Sequence, residues 1–298
     1  MNTLDTILKK LPAHLVKDLT DIPRSLSDQL EEIRLICGQP VKISFKKSEK
    51  FLTEIISKED LQNTLNNLIK FSYYAYEEDM AKGFVTIEGG HRVGICGKAV
   101  VKNGEPALIK EISSLNIRFA KEITGCASPL IPILIKNKCP VNTLIVSPPG
   151  CGKTTMLRDI ARILSRREIK VAICDERSEI AGMYNSMPSF DLGPRTDVLD
   201  GCEKSYGISM LIRSMSPDVI ITDEIGKASD IKSVEMCSVA GVSLVTSVHG
   251  SCRRDILENP ISPLIKNGTF KNIIYLSSSE GPGTIKNIEC EKEAEQYA

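Results

Sequence analysis

The chain has 298 residues, 42% of them hydrophobic, which is enough for two ordinary domains and a substantial core. Lys+Arg and Asp+Glu both total 38, so the formal net charge is +0 and gives no argument for a nucleic-acid groove or an acidic membrane surface as the main partner. The 10 cysteines include no C-x-x-C pair, which speaks against a metal framework and suits a reducing cytoplasm with free thiols.

The amino-terminal stretch MNTLDTILKK is amphipathic and charged and does not read as a signal peptide. Residues 25–36 alternate acidic and apolar positions at helical spacing and stop at Gly38, which predicts a helix from Ser25 to Ile36. Short β-like runs follow at Val41–Phe45 and Phe51–Ile56. Ser57, with Asp60 three residues on and Leu61, Leu65 and Leu68 behind it, predicts a capped amphipathic helix. GFVTIEGGHRVGICGKAVVKNG (83–104) reads as strands joined by tight turns at Gly89-Gly90 and Asn103-Gly104, and LNIRFA (115–120) as the strand that closes the sheet. Residues 1–125 are thus expected to form a smaller α+β domain. Within it, His91 and Arg92 are either solvated hairpin residues or groups facing a partner. Arg118 is either half of a structural ion pair or an arginine that, from an adjacent domain or subunit, neutralises charge on the γ-phosphate.

CASPLIPILIKNKCP (126–140), with three prolines and a short apolar helix candidate, reads as a packed connector. Its patch LIPILI is far too short to cross a bilayer, so any membrane association would go through a partner. An apolar strand, NTLIVS, then leads into SPPGCGKTT, and MLRDIARIL after it has the spacing of an amphipathic helix. Strand, glycine turn and helix form the setting in which G-x-x-x-x-G-K-[ST] binds phosphate. The loop Ser147, Pro148, Pro149, Gly150, Cys151, Gly152, Lys153, Thr154, Thr155 is expected to cradle the phosphates of ATP. Its backbone N–H groups and the helix N-terminus would do so, with Lys153 on the β- and γ-phosphates and the Thr154 hydroxyl on Mg²⁺. Ser147 stands where glycine is usual, at a position that closes the strand.

IKVAICD (169–175) is a second buried strand that ends in the charged run DERSEI. Asp175, Glu176 and Glu179 there either serve Mg²⁺ and the attacking water or start a salt-laced helix. Tyr184 to Glu203, including GPRTDVLDG, reads as a long loop. DVIITDE (218–224) is a hydrophobic strand ending in two acids, about 70 residues after the P-loop. Asp223 is expected to hold Mg²⁺ and Glu224 to polarise the water that attacks the γ-phosphate. VSLVTSVHG ends in His249, read as a γ-phosphate sensor beside the P-loop strand, with a structural histidine as the alternative. NIIYLS, a Gly-Pro-Gly turn and TIKNIEC should close the sheet as an antiparallel pair before a frayed end. The expected architecture is α/β: a RecA-like P-loop NTPase core over 126–298 beside the smaller α+β domain.

P-loop, acidic box, Arg213 before the Asp-Glu strand and histidine-ended strand together resemble the ATPases of type II and type IV secretion. Two departures are Asp223-Glu224 where those proteins have Gly-Glu, and Gly226 where they carry an arginine. SPPGCGKTT, DERSEIAG, GPRTDVLDGC, IRSMSPDVIITDEIG and GGHRVGICGKA are similar to the stage III sporulation protein AA family along nearly the whole chain. That resemblance implies an ATP- and Mg-dependent ATPase of the mother-cell cytoplasm. It would be a homo-oligomer, expected to be a hexameric ring, working with membrane proteins of the same sporulation operon. Two rival readings are a nucleotide-gated scaffold with little turnover and a nucleic-acid-dependent NTPase. None of His14, His91 or His249 has an arginine four residues before it, which counts against the second.

Overall fold

The computed structural model describes residues 7–290 apart from positions 21, 24, 25, 27, 28 and 47. It divides into two compact units. One runs to Lys121 and includes Tyr184–Ser189; the other comprises Glu122–Met183 and the chain from Phe190 onward.

The first unit is an antiparallel sheet with helices. In chain order it contains α1 (Ala13–Thr20), β1 (Leu30–Ile36), β2 (Pro40–Phe45), β3 (Ser48–Ile55), α2 (Lys58–Leu68), α3 (Glu77–Ala81), β4 (Phe84–Ile87), β5 (His91–Lys102) and β6 (Glu105–Arg118). The strand order is β3-β2-β1-β6-β5-β4. The β4–β5 and β5–β6 connections are the tight turns read from Gly89-Gly90 and Asn103-Gly104, all four residues at positive φ. Strand β1 replaces the helix expected over 25–36, whose start at Ser25 lies outside the described residues. Ile33 and Leu35 are buried while Arg34 and Ile36 face out, a period of two imposed by pairing with β2 and β6 on both sides. Strand β6, which contains the closing run read from LNIRFA, lies between β1 and β5. One face of the sheet packs Ile33, Val41, Ile43, Val93, Leu115 and Ile117 against the apolar sides of the helices. His91 is not a solvated hairpin residue: it is 3% exposed, its Nδ1 accepts the Ala120 N–H at 3.0 Å, and its ring packs against Phe119.

The second unit begins with α4 (Ile131–Leu134) and the two-residue strands β7 (Ile135–Lys136) and β8 (Cys139–Pro140). Then come β9 (Thr143–Ser147), α5 (Lys153–Arg166) and β10 (Val171–Asp175). The chain then forms a small hairpin of β11 (Met183–Tyr184) and β12 (Met187–Pro188), which from Tyr184 on belongs to the first unit, and continues in the second with β13 (Thr196–Asp200), α6 (Lys204–Met215), β14 (Val219–Glu224) and α7 (Ala228–Val239). The chain continues through β15 (Ser243–His249), α8 (Arg253–Leu257), α9 (Ser262–Lys266), β16 (Asn272–Ser277) and β17 (Thr284–Cys290). The main sheet has the order β13-β10-β14-β15-β9-β16-β17, parallel except for β17. The segment TDVLD, expected to be loop, is the edge strand β13. None of its five residues is fully buried, which suits an edge, and its order comes from pairing with β10 from Val171↔Thr196 to Asp175↔Asp200. Strands β9 and β10 are buried at every position, as required when helices cover both faces of a parallel sheet. One apolar layer joins Ile145, Ile173 and Ile221 to Met156, Ile160 and Leu164 of α5. The other joins Leu144, Val146 and Ile220 to Ile208, Val234, Ile256 and Leu264 on the opposite face. No helix among the described residues is long and apolar enough to cross a membrane.

Candidate nucleotide and metal site

Four neighbouring parallel strands deliver polar residues to one edge of the second sheet. Strand β9 ends at Ser147, β15 at His249, β14 at Asp223-Glu224 and β10 at Asp175. The strand register places His249 opposite Ser147, and Glu224 opposite Ser247. Carboxyl ends of adjacent parallel strands are where open α/β sheets bind ligands.

The loop after β9 turns through two left-handed glycines, Gly150 (φ 72°) and Gly152 (φ 85°), and Gly152 directly precedes the first turn of α5. At Gly150 a Cβ would meet nothing within 4 Å, so that side of the loop is open. At Gly152 it would lie 2.9 Å from the Gly283 nitrogen. Here the β16–β17 turn is tied to the loop, with the Gly283 N–H donating to the Cys151 carbonyl at 2.8 Å. Ser147 is buried, its hydroxyl donating to the Pro148 carbonyl, so it closes the strand. Pro149 and Gly150 are exposed, Pro148, Thr154 and Thr155 half-buried, and Cys151 buried.

The charged groups are paired in a definite order. Lys153 Nζ lies 2.7 Å from Glu224 Oε2. Lys204, at the first position of α6 and 7% exposed, donates to Glu176 Oε2 and stands 2.8 Å from Asp223 Oδ1. Asp223 Oδ1 is buried and takes no hydrogen bond of ordinary geometry, so the ammonium is its counter-charge. Burial raises the Asp223 pKa against the pull of Lys204. Burial works to lower that of Lys204, but the Asp223 and Glu176 carboxylates outweigh it and raise it. Three carboxylates thus face two ammonium groups.

Asp175 does a different job from the metal role considered for it. Its Oδ1 accepts the Glu179 N–H at 2.9 Å, and its Oδ2 accepts those of Ile180 and Ala181 at 3.0 and 2.8 Å. It therefore organises the loop that carries Glu176. Burial pushes its pKa up to about 6, and the three N–H donors oppose that without cancelling it. Arg158 of α5 fastens the same loop, donating to the Ile180 and Glu179 carbonyls at 2.7 and 2.9 Å beneath the Phe190 ring.

Of the residues singled out from the sequence, Lys153, Glu224, Asp223 and Glu176 are linked through two ammonium groups. His249 is exposed at the end of the strand beside β9. Arg118 belongs to the first unit. It is exposed on β6, opposite Glu32 of β1 and Arg92 of β5. Sequence reasoning missed Lys204, a lone lysine at a helix start whose partners lie on strand β14 and in the loop after β10.

The donor chemistry suits Mg²⁺. A threonine hydroxyl and a carboxylate are hard oxygen ligands, and no group of three His, Cys, Asp or Glu side chains with metal-binding geometry occurs among the described residues. Most of an octahedral shell would therefore fall to phosphate oxygens and water, the usual pattern for this ion.

Two solved structures share this fold. The ATPase DotB of Legionella pneumophila superposes with a TM-score of 0.59 at 16% identity, over 88% of this chain and 75% of that one. The pilus retraction motor PilT with bound ADP gives 0.57 at 14% identity, over 92% and 78%. The fold is thus the RecA-like P-loop fold of secretion and pilus ATPases. Within that class the chain belongs to the family described as sporulation stage III, protein AA, matched over residues 1–295. It is 40% identical to Stage III sporulation protein AA of Bacillus subtilis (strain 168) over 291 residues, which is 96% of this chain and 94% of that protein.

Proposed function

We propose that this protein is an ATP-hydrolysing motor of sporulation, assembling as a ring, expected to be a hexamer, in the mother-cell cytoplasm. It would act on membrane proteins of the same operon at the channel between mother cell and forespore. The observation that carries the catalytic part is the Lys153–Glu224 contact at 2.7 Å, across the carboxyl ends of β9 and β14. A γ-phosphate competes with Glu224 for the Lys153 ammonium. When the phosphate wins, Lys153 neutralises phosphoryl charge and Glu224 is released to orient the attacking water. One ion pair thereby couples occupancy to activation, because the carboxylate is silent while the lysine holds it. Thr154 and Asp223 would hold Mg²⁺, which supplies charge neutralisation on the phosphates. His249, beside the loop strand, would report the γ-phosphate, and Glu176 supports the metal side. Arg118, exposed on β6, would neutralise γ-phosphate charge as an arginine from an adjacent domain or subunit.

The test is steady-state phosphate release by the wild type, Lys153→Ala and Glu224→Gln across a protein concentration series. The expected result is turnover that rises more steeply than linearly with concentration and falls at least a hundredfold in both variants. Binding of ATP with a background that neither substitution changes would instead describe a nucleotide-gated scaffold.

A further inference from the structure

The P-loop reading gives Lys153 its task and leaves Lys204 without one. A lysine that is 7% exposed is costly unless paired, and here both of its partners are carboxylates of the candidate site. Its helix position makes the placement firm. Lys204 is the first residue of α6, and Gly207 one turn on packs so tightly that a Cβ there would lie 2.5 Å from Cys174 Sγ of β10. The start of α6 is thereby fixed against the end of the strand that leads to Glu176. The ammonium lies between Glu176 and Asp223, and Asp223 Oδ1 has no hydrogen-bond partner of its own.

We propose that Lys204 is a resident cation that guards the metal side of the site, so that a divalent ion is taken up only together with a phosphate-bearing ligand. The inference rests on the nucleotide reading above. A fixed positive charge 2.8 Å from Asp223 Oδ1 repels a bare divalent ion from that carboxylate. A polyphosphate adds enough negative charge to reverse the balance, and the ammonium then shifts its hydrogen bonding toward Glu176, which is already its partner. Glu176 is the berth that lets Asp223 be shared. Lys204 and Glu176 are positioning residues in this scheme, since both act on the metal through Asp223. Loading with metal is thereby made conditional on nucleotide, through a pair of contacts distinct from the Lys153–Glu224 pair.

The test uses the full chain and Mn²⁺ as the probe. Free Mn²⁺ is titrated by electron paramagnetic resonance with no nucleotide and with saturating ADP, for the wild type, Lys204→Met and Lys204→Arg. Removing the charge leaves two carboxylates facing one another. Lys204→Met should therefore bind Mn²⁺ without nucleotide at least tenfold more tightly than the wild type, while Lys204→Arg stays within threefold of it. A folded Lys204→Met protein whose nucleotide-free Mn²⁺ affinity is unchanged or weaker overturns the proposal. If that variant does not fold, Glu176→Gln decides. With its berth gone, Mn²⁺ affinity in the presence of ADP should fall at least threefold, and an unchanged value sinks the idea. Failure of the nucleotide reading looks different: the wild type itself would bind no ADP with or without Mn²⁺.

Discussion

Strands β5 and β9 embody two ways of using a β-sheet. Over its first five residues β5 alternates buried His91, Val93 and Ile95 with half-buried Arg92 and Gly94, because one face of its antiparallel sheet meets a core and the other does not. Strand β9 is buried at all five positions, between two apolar layers. In the first unit, charge is therefore distributed along the strands, as in the row Glu32, Arg118 and Arg92 across β1, β6 and β5. In the second unit, the interior positions of the central parallel strands are closed to solvated charge, and charged groups gather at their ends. Burial on both faces is thus what concentrates Asp175, Asp223, Glu224 and His249 on one edge. The polar edge of the second sheet follows from the packing of the sheet as well as from the P-loop motif.

On this account the buried polar fastenings of the second unit must be indispensable, and Arg158 foremost among them. Arg158→Leu leaves the Ile180 and Glu179 carbonyls without their donor and removes the contact with Phe190, which should cost about 3–5 kcal/mol in urea denaturation. Arg158→Lys should recover less than half, because one ammonium cannot serve both carbonyls and lie flat on the ring. A loss below about 1 kcal/mol would show that the loop is held by Asp175 alone.

In the first unit the corresponding buried polar group is His91, and its signature is acid sensitivity. Burial lowers its pKa to about 4, against about 6.5 for an exposed histidine. Between those values the unfolded chain takes up a proton that the folded one refuses. The stability is therefore fully present above pH 6.5 and is lost as pH falls toward 4. The loss attributable to this residue is about 3 kcal/mol, at the low end of that for Arg158. His91→Gln, which keeps an acceptor for the Ala120 N–H without a titrating ring, should flatten the pH dependence of the thermal midpoint across that window. An unchanged slope would exclude His91 as its source.

The same contrast explains what could be read from the sequence. The P-loop and the Asp-Glu strand were legible because their chemistry is local: glycines at positive φ, a lysine and a threonine in fixed spacing, and a run of apolar residues ending in acids. LEEIRLI misled because its acids and leucines also fit a helix, and only pairing on both sides selects the strand β1. TDVLD has too few buried positions to announce a strand, and its order comes from β10. Lys204 was invisible for a deeper reason. Its significance lies in Glu176 and Asp223, which reach it through the strand order β10-β14, and nothing in the residues around it encodes that neighbourhood.

The smallest effect sharpens the comparison by leaving the second sheet untouched. Ser57 and Asp60 cap α2 of the first unit reciprocally. The Ser57 hydroxyl accepts the Asp60 N–H, and the Asp60 carboxylate accepts the Ser57 N–H, each at 3.0 Å. Both residues are local to one helix end, so Ser57→Ala should cost about 1 kcal/mol and no more. The measurement that isolates it is amide hydrogen exchange. The Asp60 N–H loses its acceptor, and exchange in the first turn of α2 should speed up about fivefold, the factor that corresponds to 1 kcal/mol. Protection along β9 and β10, and the affinity for ADP, should stay as in the wild type. If exchange in those strands rises as well, the two sheets do not respond separately to local change. The ligand edge could then no longer be attributed to the packing of the parallel sheet alone.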